Sequence, residues 1–268
     1  CEGDKICVPN LKVKTIFFSK IRSRFPTTVP IPSSIKICSS SSKTKLLIVN
    51  SPNNPAGYML TEVELTFLYK LAEKHNFYLL SDEIYEKLSF GCQKHFSPGA
   101  LESTPKNVVT INGFSKSHAM TGWRLGYACF PQELFTDIQK LQMHINTNTC
   151  TFIQEGVAIG FDTDMSYLEA YNDKLKTRIG WYKEMLDRTT KISGVIPEGG
   201  FFAFLNIGKT GLDSNSFCSR LIEETGVATT PGVAFGEQWD DHIRISFATD
   251  DAIVKEGIEL IEKFIKNL

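Results

Sequence analysis

The chain has 268 residues, 42% of them apolar and 22% charged, with a formal net charge of −1. That length and balance suit a globular protein with one large core or two smaller ones, and a near-neutral charge gives no electrostatic reason to expect nucleic acid or an acidic membrane surface as partner. No run of about 18 apolar residues is present for a membrane span, and the seven scattered cysteines form no C-x-x-C pair, so free thiols in a reducing, cytoplasmic setting are expected rather than a zinc site or a disulfide framework.

Residues 1–44 differ from the rest. Through residue 45 the chain holds nine Lys/Arg against two Asp/Glu, whereas the remainder carries −8. The segment is Ser/Pro-rich, ends in Ser39-Ser40-Ser41-Ser42 and has no helical or strand period. An organellar targeting segment, a disordered tail and the remnant of a longer folded region all fit that composition. The first residue is Cys rather than Met.

From Lys45 the texture changes. Leu46-Leu47-Ile48-Val49 reads as a buried strand closed by the turn cluster Asn50-Ser51-Pro52-Asn53-Asn54-Pro55-Ala56-Gly57. Thr61 and Glu64 have capping-box spacing and open a helix through about Lys74. Phe77–Leu80, Val108–Ile111 and Tyr127–Phe130 read as further strands, the first ending at Ser81-Asp82-Glu83. Strands alternating with helical segments predict a mostly parallel α/β sheet, whose ligands lie beyond the carboxyl ends of its strands. Asn54, Asp82 and Lys116 all follow predicted strands, which places them in one site.

A long helical period over 165–189 is expected to bridge to a smaller α+β domain at 190–268. That domain contains a strand at Phe201–Leu205, a helix from Ser214, a strand at His242–Phe247 and an amphipathic helix from Asp250. A partial large domain is expected at 45–164.

The stretch Gly113-Phe114-Ser115-Lys116, followed by Met120-Thr121-Gly122-Trp123-Arg124-Leu125-Gly126, carries the chemistry. A lysine acts as a nucleophile when burial leaves its amine partly deprotonated, and an arginine fork suits a phosphate. Together they suggest a site that holds a phosphorylated aldehyde as a Schiff base. Taken singly, each residue has a plainer explanation. Lys116 could be a solvated turn lysine, Asp82 a helix N-cap, Asn54 the shaper of an Asn-Pro turn, Arg124 half of an ion pair and Arg244 a surface group. The histidines have no metal-ligand spacing, a P-loop is absent, and no metal site is expected. Trp123 reads equally as packing beneath the loop or as a core aromatic.

Four motifs in register carry a resemblance: Asn53-Asn54-Pro55-Ala56-Gly57, Ser81-Asp82-Glu83-Ile84-Tyr85, Gly113 to Gly126 and Arg244-Ile245-Ser246. From about Lys45 onward the chain resembles the class I/II aminotransferases, fold-type I enzymes that use pyridoxal 5'-phosphate. The resemblance implies a doubly wound, mostly parallel sheet of the PLP-dependent transferase type, here truncated, with a smaller C-terminal α+β domain. It implies transfer of an amino group between an L-amino acid and a 2-oxo acid by a homodimer.

By the same resemblance Lys116 forms the Schiff base and shuttles the proton at substrate Cα. Asp82 keeps the pyridine nitrogen protonated, and Tyr85 and Asn54 bond the phenolic oxygen. Ser115 and Arg124 hold the phosphate, while Arg244, with Asn54, holds the substrate carboxylate. The Met-Thr-Gly-Trp-Arg form is similar to the subgroup that includes aspartate aminotransferases, from which an aspartate preference is expected. A lyase or racemase on the same scaffold would use Lys116 and Asp82 too. Residues 1–44 do not show the family's N-terminal phosphate loop or its ring-stacking aromatic, so an inactive, N-terminally incomplete relative is a further reading.

Overall fold

The structure is a computed structural model that describes residues 44–103, 105–159 and 164–268. All of the basic Ser-rich segment except its last residue lies outside them. The described residues fall into two compact units, one of 44–49, 61–84 and 96–159, the other of 50–60, 85–95 and 164–268.

The first unit is built on a four-stranded sheet of β1 (Leu46–Asn50), β2 (Tyr78–Asp82), β3 (Val108–Gly113) and β4 (Gly126–Cys129), in that order. β2 and β3 run parallel, from Leu79 opposite Val108 to Asp82 opposite Ile111. β4 returns antiparallel, with Gly113 opposite Gly126. The four expected strands are present, each within a few residues of its predicted bounds.

Helix α1 (Glu62–His75) begins with the anticipated capping box: the Thr61 hydroxyl accepts the Glu64 N–H and the Glu64 carboxylate accepts the Thr61 N–H. Such caps stabilise a helix by about 1 kcal/mol. Leu65, Leu68, Tyr69 and Ala72 form its buried stripe, and α1 packs against β2. Asn76 ends it in the left-handed conformation, φ 51°.

One side of β2 and β3 is closed, with Leu79, Ser81 and Val108 buried, but Leu80, Val109 and Ile111 on the other side are only half-buried. Two helices that the sequence reading did not anticipate, α2 (Phe135–Asn146) and α3 (Thr151–Ala158), bury one residue each, Gln142 and Val157. Several of their apolar side chains stay outside: Ile145 is 68% exposed and Phe152 77%.

The second unit closes a complete core. Its antiparallel sheet has the order β5-β6-β8-β7, made of Ser193–Gly194, Phe202–Asn206, His242–Ser246 and Thr230–Pro231. Helices α4 (Ser166–Arg188), α5 (Ser214–Thr225) and α6 (Asp251–Asn267) complete it. The α6 stripe Val254, Ile258, Ile261 and Ile265 recurs at helical spacing and meets Leu175, Ile179, Tyr182 and Met185 of α4 in one cluster with Leu205, Phe217 and Phe247.

The buried charged groups Arg178 and Glu262 of this unit are paired. Arg178 of α4 donates to Asp251 at 2.6 Å and to the Phe247 carbonyl at 2.7 Å. Glu262 accepts from Arg188 and Lys266, which together hold its carboxyl down at about 2. Residues 50–60 join this unit through Gly57, whose carbonyl accepts the N–H groups of Glu198 and Gly199. Gly57 has φ +71°, and a Cβ there would stand 2.6 Å from the Phe202 carbonyl oxygen, so only glycine fits.

Candidate functional site

In the first unit the expected chemical residues gather at the carboxyl ends of β2 and β3. Asp82 is the last residue of β2, and its β3 partner Ile111 lies five residues before Lys116. A turn over 115–118 follows β3 and carries Ser115 and Lys116, both half-buried. The Phe114 carbonyl organises it, accepting the N–H groups of His118 and Met120, while the Phe114 ring is sunk in a cluster with Leu125 and Val157. A parallel strand pair that stops abruptly, followed by a loop anchored by one buried ring, puts the lysine and the strand-end carboxylate at the same edge of the sheet.

Asp82 is ionisable in a dry place. Burial pushes its carboxyl above the usual range and outweighs the backbone N–H of Ile84, at 3.2 Å, which favours the charged form; neighbouring Glu83 pushes the same way as burial. The helix-cap alternative survives only as that local bond, because a turn over 84–87, not a helix, follows β2. A cationic group against this carboxylate would reverse the cost of its burial.

Arg124 stands beyond the lysine turn with φ 57°, and Ala119 within the same stretch has φ 52°. Left-handed backbone at residues other than glycine costs roughly 1–3 kcal/mol each and gathers where function requires a particular geometry. The Arg124 side chain is exposed, and Nη1 donates to the Thr121 carbonyl at 2.7 Å. Trp123 is 49% exposed, which removes its reading as a core aromatic. His118, set aside from sequence, pairs through Nδ1 with the Ser117 hydroxyl, and its buried Nε2 has no hydrogen-bond partner among the described residues.

The second unit holds Asn54, Tyr85 and Arg244. The structure brings Asn54 and Arg244 together across 190 positions of sequence: Arg244 Nη1 donates to Asn54 Oδ1 at 3.0 Å. The other terminal nitrogen donates to the Thr230 hydroxyl at 3.2 Å. The guanidinium lies over the ring of Phe202 at 4.2 Å and that of Phe235 at 5.1 Å. Burial depresses its pKa, while the Tyr85 phenol opposes the shift. Tyr85 sits in the turn after β2 with its ring buried edge-on to Phe201. Sequence reasoning found Arg244 and Asn54 but not Thr230, Phe202 or Phe235 as its holders; a pattern of alternating strand residues was the only available signal.

The family profile for aminotransferases of class I and II matches residues 29–261. The aspartate aminotransferase of Bacillus subtilis is 36% identical over 84% of the chain, and the match covers 58% of that protein. Aromatic-amino-acid aminotransferase 2 of Thermococcus litoralis is 35% identical, again over 84% of the chain and 58% of its own length. Among solved structures, the aromatic aminotransferase of Pyrococcus horikoshii superposes with a TM-score of 0.80 at 34% identity, over 85% of this chain and 61% of that one. The aspartate aminotransferase of Thermotoga maritima gives 0.76 at 35% identity, over 84% and 58%. The chain thus spans about 58% of the length of the curated relatives it matches.

Proposed function

Because the chain belongs to the class I and II aminotransferase family, we propose that it works as a pyridoxal-phosphate-dependent aminotransferase, moving an amino group between an L-amino acid and a 2-oxo acid. The supporting observation is that a half-buried Lys116, in a turn directly after β3, and a half-buried Asp82 with a raised pKa, at the end of the parallel neighbour strand, lie at the same edge of the sheet.

The donor set of the first unit fits the cofactor. Lys116 offers an amine for its aldehyde, Asp82 a carboxylate for a cationic ring nitrogen, and Ser115 and Arg124 a hydroxyl and a guanidinium for its phosphate. The raised pKa of Asp82 supports this fit, since a buried carboxylate is relieved by a cation. When bound, pyridoxal phosphate supplies an electron sink for the charge left on substrate Cα when its proton departs. In that reading Asp82 holds the proton on the ring nitrogen. The Lys116 amine takes the Cα proton and later returns it, as a positioned general base and acid. Arg244, braced by Asn54, binds the α-carboxylate and orients the amino acid, an alignment contribution rather than a chemical one.

The relatives named for aspartate and for aromatic amino acids support an acidic or aromatic substrate, and aspartate with 2-oxoglutarate is the pair to try. The reading includes a homodimer, which sedimentation of the purified chain decides. The test is direct: the chain is incubated with pyridoxal phosphate, L-aspartate and 2-oxoglutarate, and oxaloacetate is measured. Oxaloacetate that appears only with 2-oxoglutarate present supports transfer. Release of ammonia without an acceptor indicates a lyase, and a folded chain that neither binds the cofactor nor changes the substrates overturns the reading.

A further inference from the structure

Arg244 is held on four sides, and three of its holders come from the local architecture of the second unit. Thr230 is its direct partner across the antiparallel β7–β8 pair. The hydroxyl and the guanidinium therefore meet because of strand register, at 3.2 Å between Thr230 Oγ1 and Arg244 Nη2. Phe202 of β6 stands under the guanidinium at 4.2 Å. Phe235 follows β7 in a short turn at Gly232–Phe235, and its ring centroid lies 5.1 Å from the guanidinium. Gly232 is required there, since a Cβ would collide with the carbonyl of Trp239.

The rings and the hydroxyl do different things. Contact with aromatic rings holds a planar cation but lets it turn within its own plane, because the attraction to a ring face has little in-plane direction. Hydrogen bonds do have direction. Asn54 Oδ1 fixes one terminal nitrogen and Thr230 Oγ1 fixes the other. A guanidinium has five N–H donors, so these two bonds leave three, enough for one bidentate carboxylate.

We propose that Thr230 is a positioning residue: its hydroxyl sets the in-plane orientation of the Arg244 guanidinium, so that an incoming α-carboxylate meets donors already aligned. This rests on the proposed function for the identity of the carboxylate. Thr230 touches no reacting atom in this role and acts only through Arg244. Its effect falls on binding, because a fork free to turn must be ordered again when substrate arrives.

The test uses the full chain and two substitutions. Thr230→Val keeps the shape and the β-branch but removes the oxygen; Thr230→Ser keeps the oxygen. The first readout needs neither cofactor nor activity. In the 15N spectrum of the arginine side chains, with Arg244 assigned from an Arg244→Lys sample, wild type should show slow rotation of the Arg244 guanidinium. Thr230→Val should show fast, averaged Nη signals, and Thr230→Ser should restore the slow regime. An unchanged spectrum in Thr230→Val overturns the proposal whether or not the chain is active.

The second readout is kinetic, with L-aspartate as the probe. Thr230→Val should raise KM roughly two- to tenfold, the cost of ordering one long side chain, with kcat within about twofold. Thr230→Ser should return KM to near the wild-type value. A spectrum that changes while KM stays the same overturns the role in carboxylate binding. Should wild type transfer no amino groups at all, the proposed function fails, while the spectrum still judges whether Thr230 orients Arg244.

Discussion

The two units solve opposite problems. In the second, nearly every apolar side chain that the sequence places inward is inside: Leu205, Phe217, Ile243 and Phe247 are fully buried, and the charged groups among them are paired. In the first, α2 and α3 bury a single residue each and leave Ile145 and Phe152 outside, while Leu80, Val109 and Ile111 of the central strands are only partly covered. The side chains proposed for catalysis and for substrate binding divide along the same line. The unit with the looser core carries the lysine, the strand-end carboxylate and four non-glycine residues with positive φ, Ala119 and Arg124 among them. The unit with the closed core carries the arginine clamp. A tight core is a good mount for a side chain whose task is to recognise one shape; a nucleophile in a turn needs only its strand ends to be rigid.

Substitutions can break that comparison. The largest effect should come from the first unit: Lys116→Ala should abolish transfer to the level of the uncatalysed reaction, and borohydride reduction should leave no cofactor mass on the protein. Activity comparable to wild type would remove the lysine from the chemistry. Next is the contrast in packing. Phe217→Ala should destabilise the second unit by about 3–5 kcal/mol, whereas Ile145→Ala should shift stability by no more than about 0.5 kcal/mol. Equal losses in denaturant melts would show that the first unit is as tightly packed as the second.

Arg244→Lys keeps the charge but loses the planar fork. It should weaken aspartate binding by about 1.5–3 kcal/mol, read as KM, with a smaller change in kcat. A fall in kcat alone would move Arg244 from binding to chemistry.

The smallest effect is electrostatic. Glu262 is held at about 2 by Arg188 first and Lys266 second. A depressed carboxyl stabilises the fold above its unfolded value of 4.5 and loses that contribution as pH falls through about 2. Because Arg188 and Lys266 are about half exposed, the contribution is below about 1 kcal/mol. Glu262→Gln should lower stability near neutral pH, by an amount that shrinks as pH falls toward 2, measured by thermal melts across that range.

Legibility in the sequence followed the caps. Helices α1, α5 and α6 begin at Thr61, Asp213 and Asp250, side chains that accept a backbone N–H of the first turn, and all three were readable at or within a residue of their starts. α2 and α3 begin at Leu134 and Cys150 with no side-chain cap, and their apolar residues do not form an inward stripe. Nothing local marks them, so they were missed. α4 has no such cap either, yet its long period sufficed. The site divides similarly. Residues at a strand end or just beyond one, such as Asp82 and Lys116, were visible because strand ends can be read from apolar runs. The surroundings of Arg244 were not, because Thr230, Phe202 and Phe235 reach it through strand register and a turn, which depend on pairings between distant segments.

The Asn54–Arg244 bond ties together residues 190 positions apart, and residues 50–60 and 85–95 belong to a unit completed only near the end of the chain. During synthesis, the early turn of Asn54 must therefore wait while the intervening chain is made before its arginine exists. Closing so long a loop adds only slowly to the entropic cost, but it makes the clamp a late event in folding. A ribosome-bound chain that has not yet reached Arg244 can already contain Lys116 and Asp82, so the groups proposed to do chemistry are present before the group proposed to select what they act on.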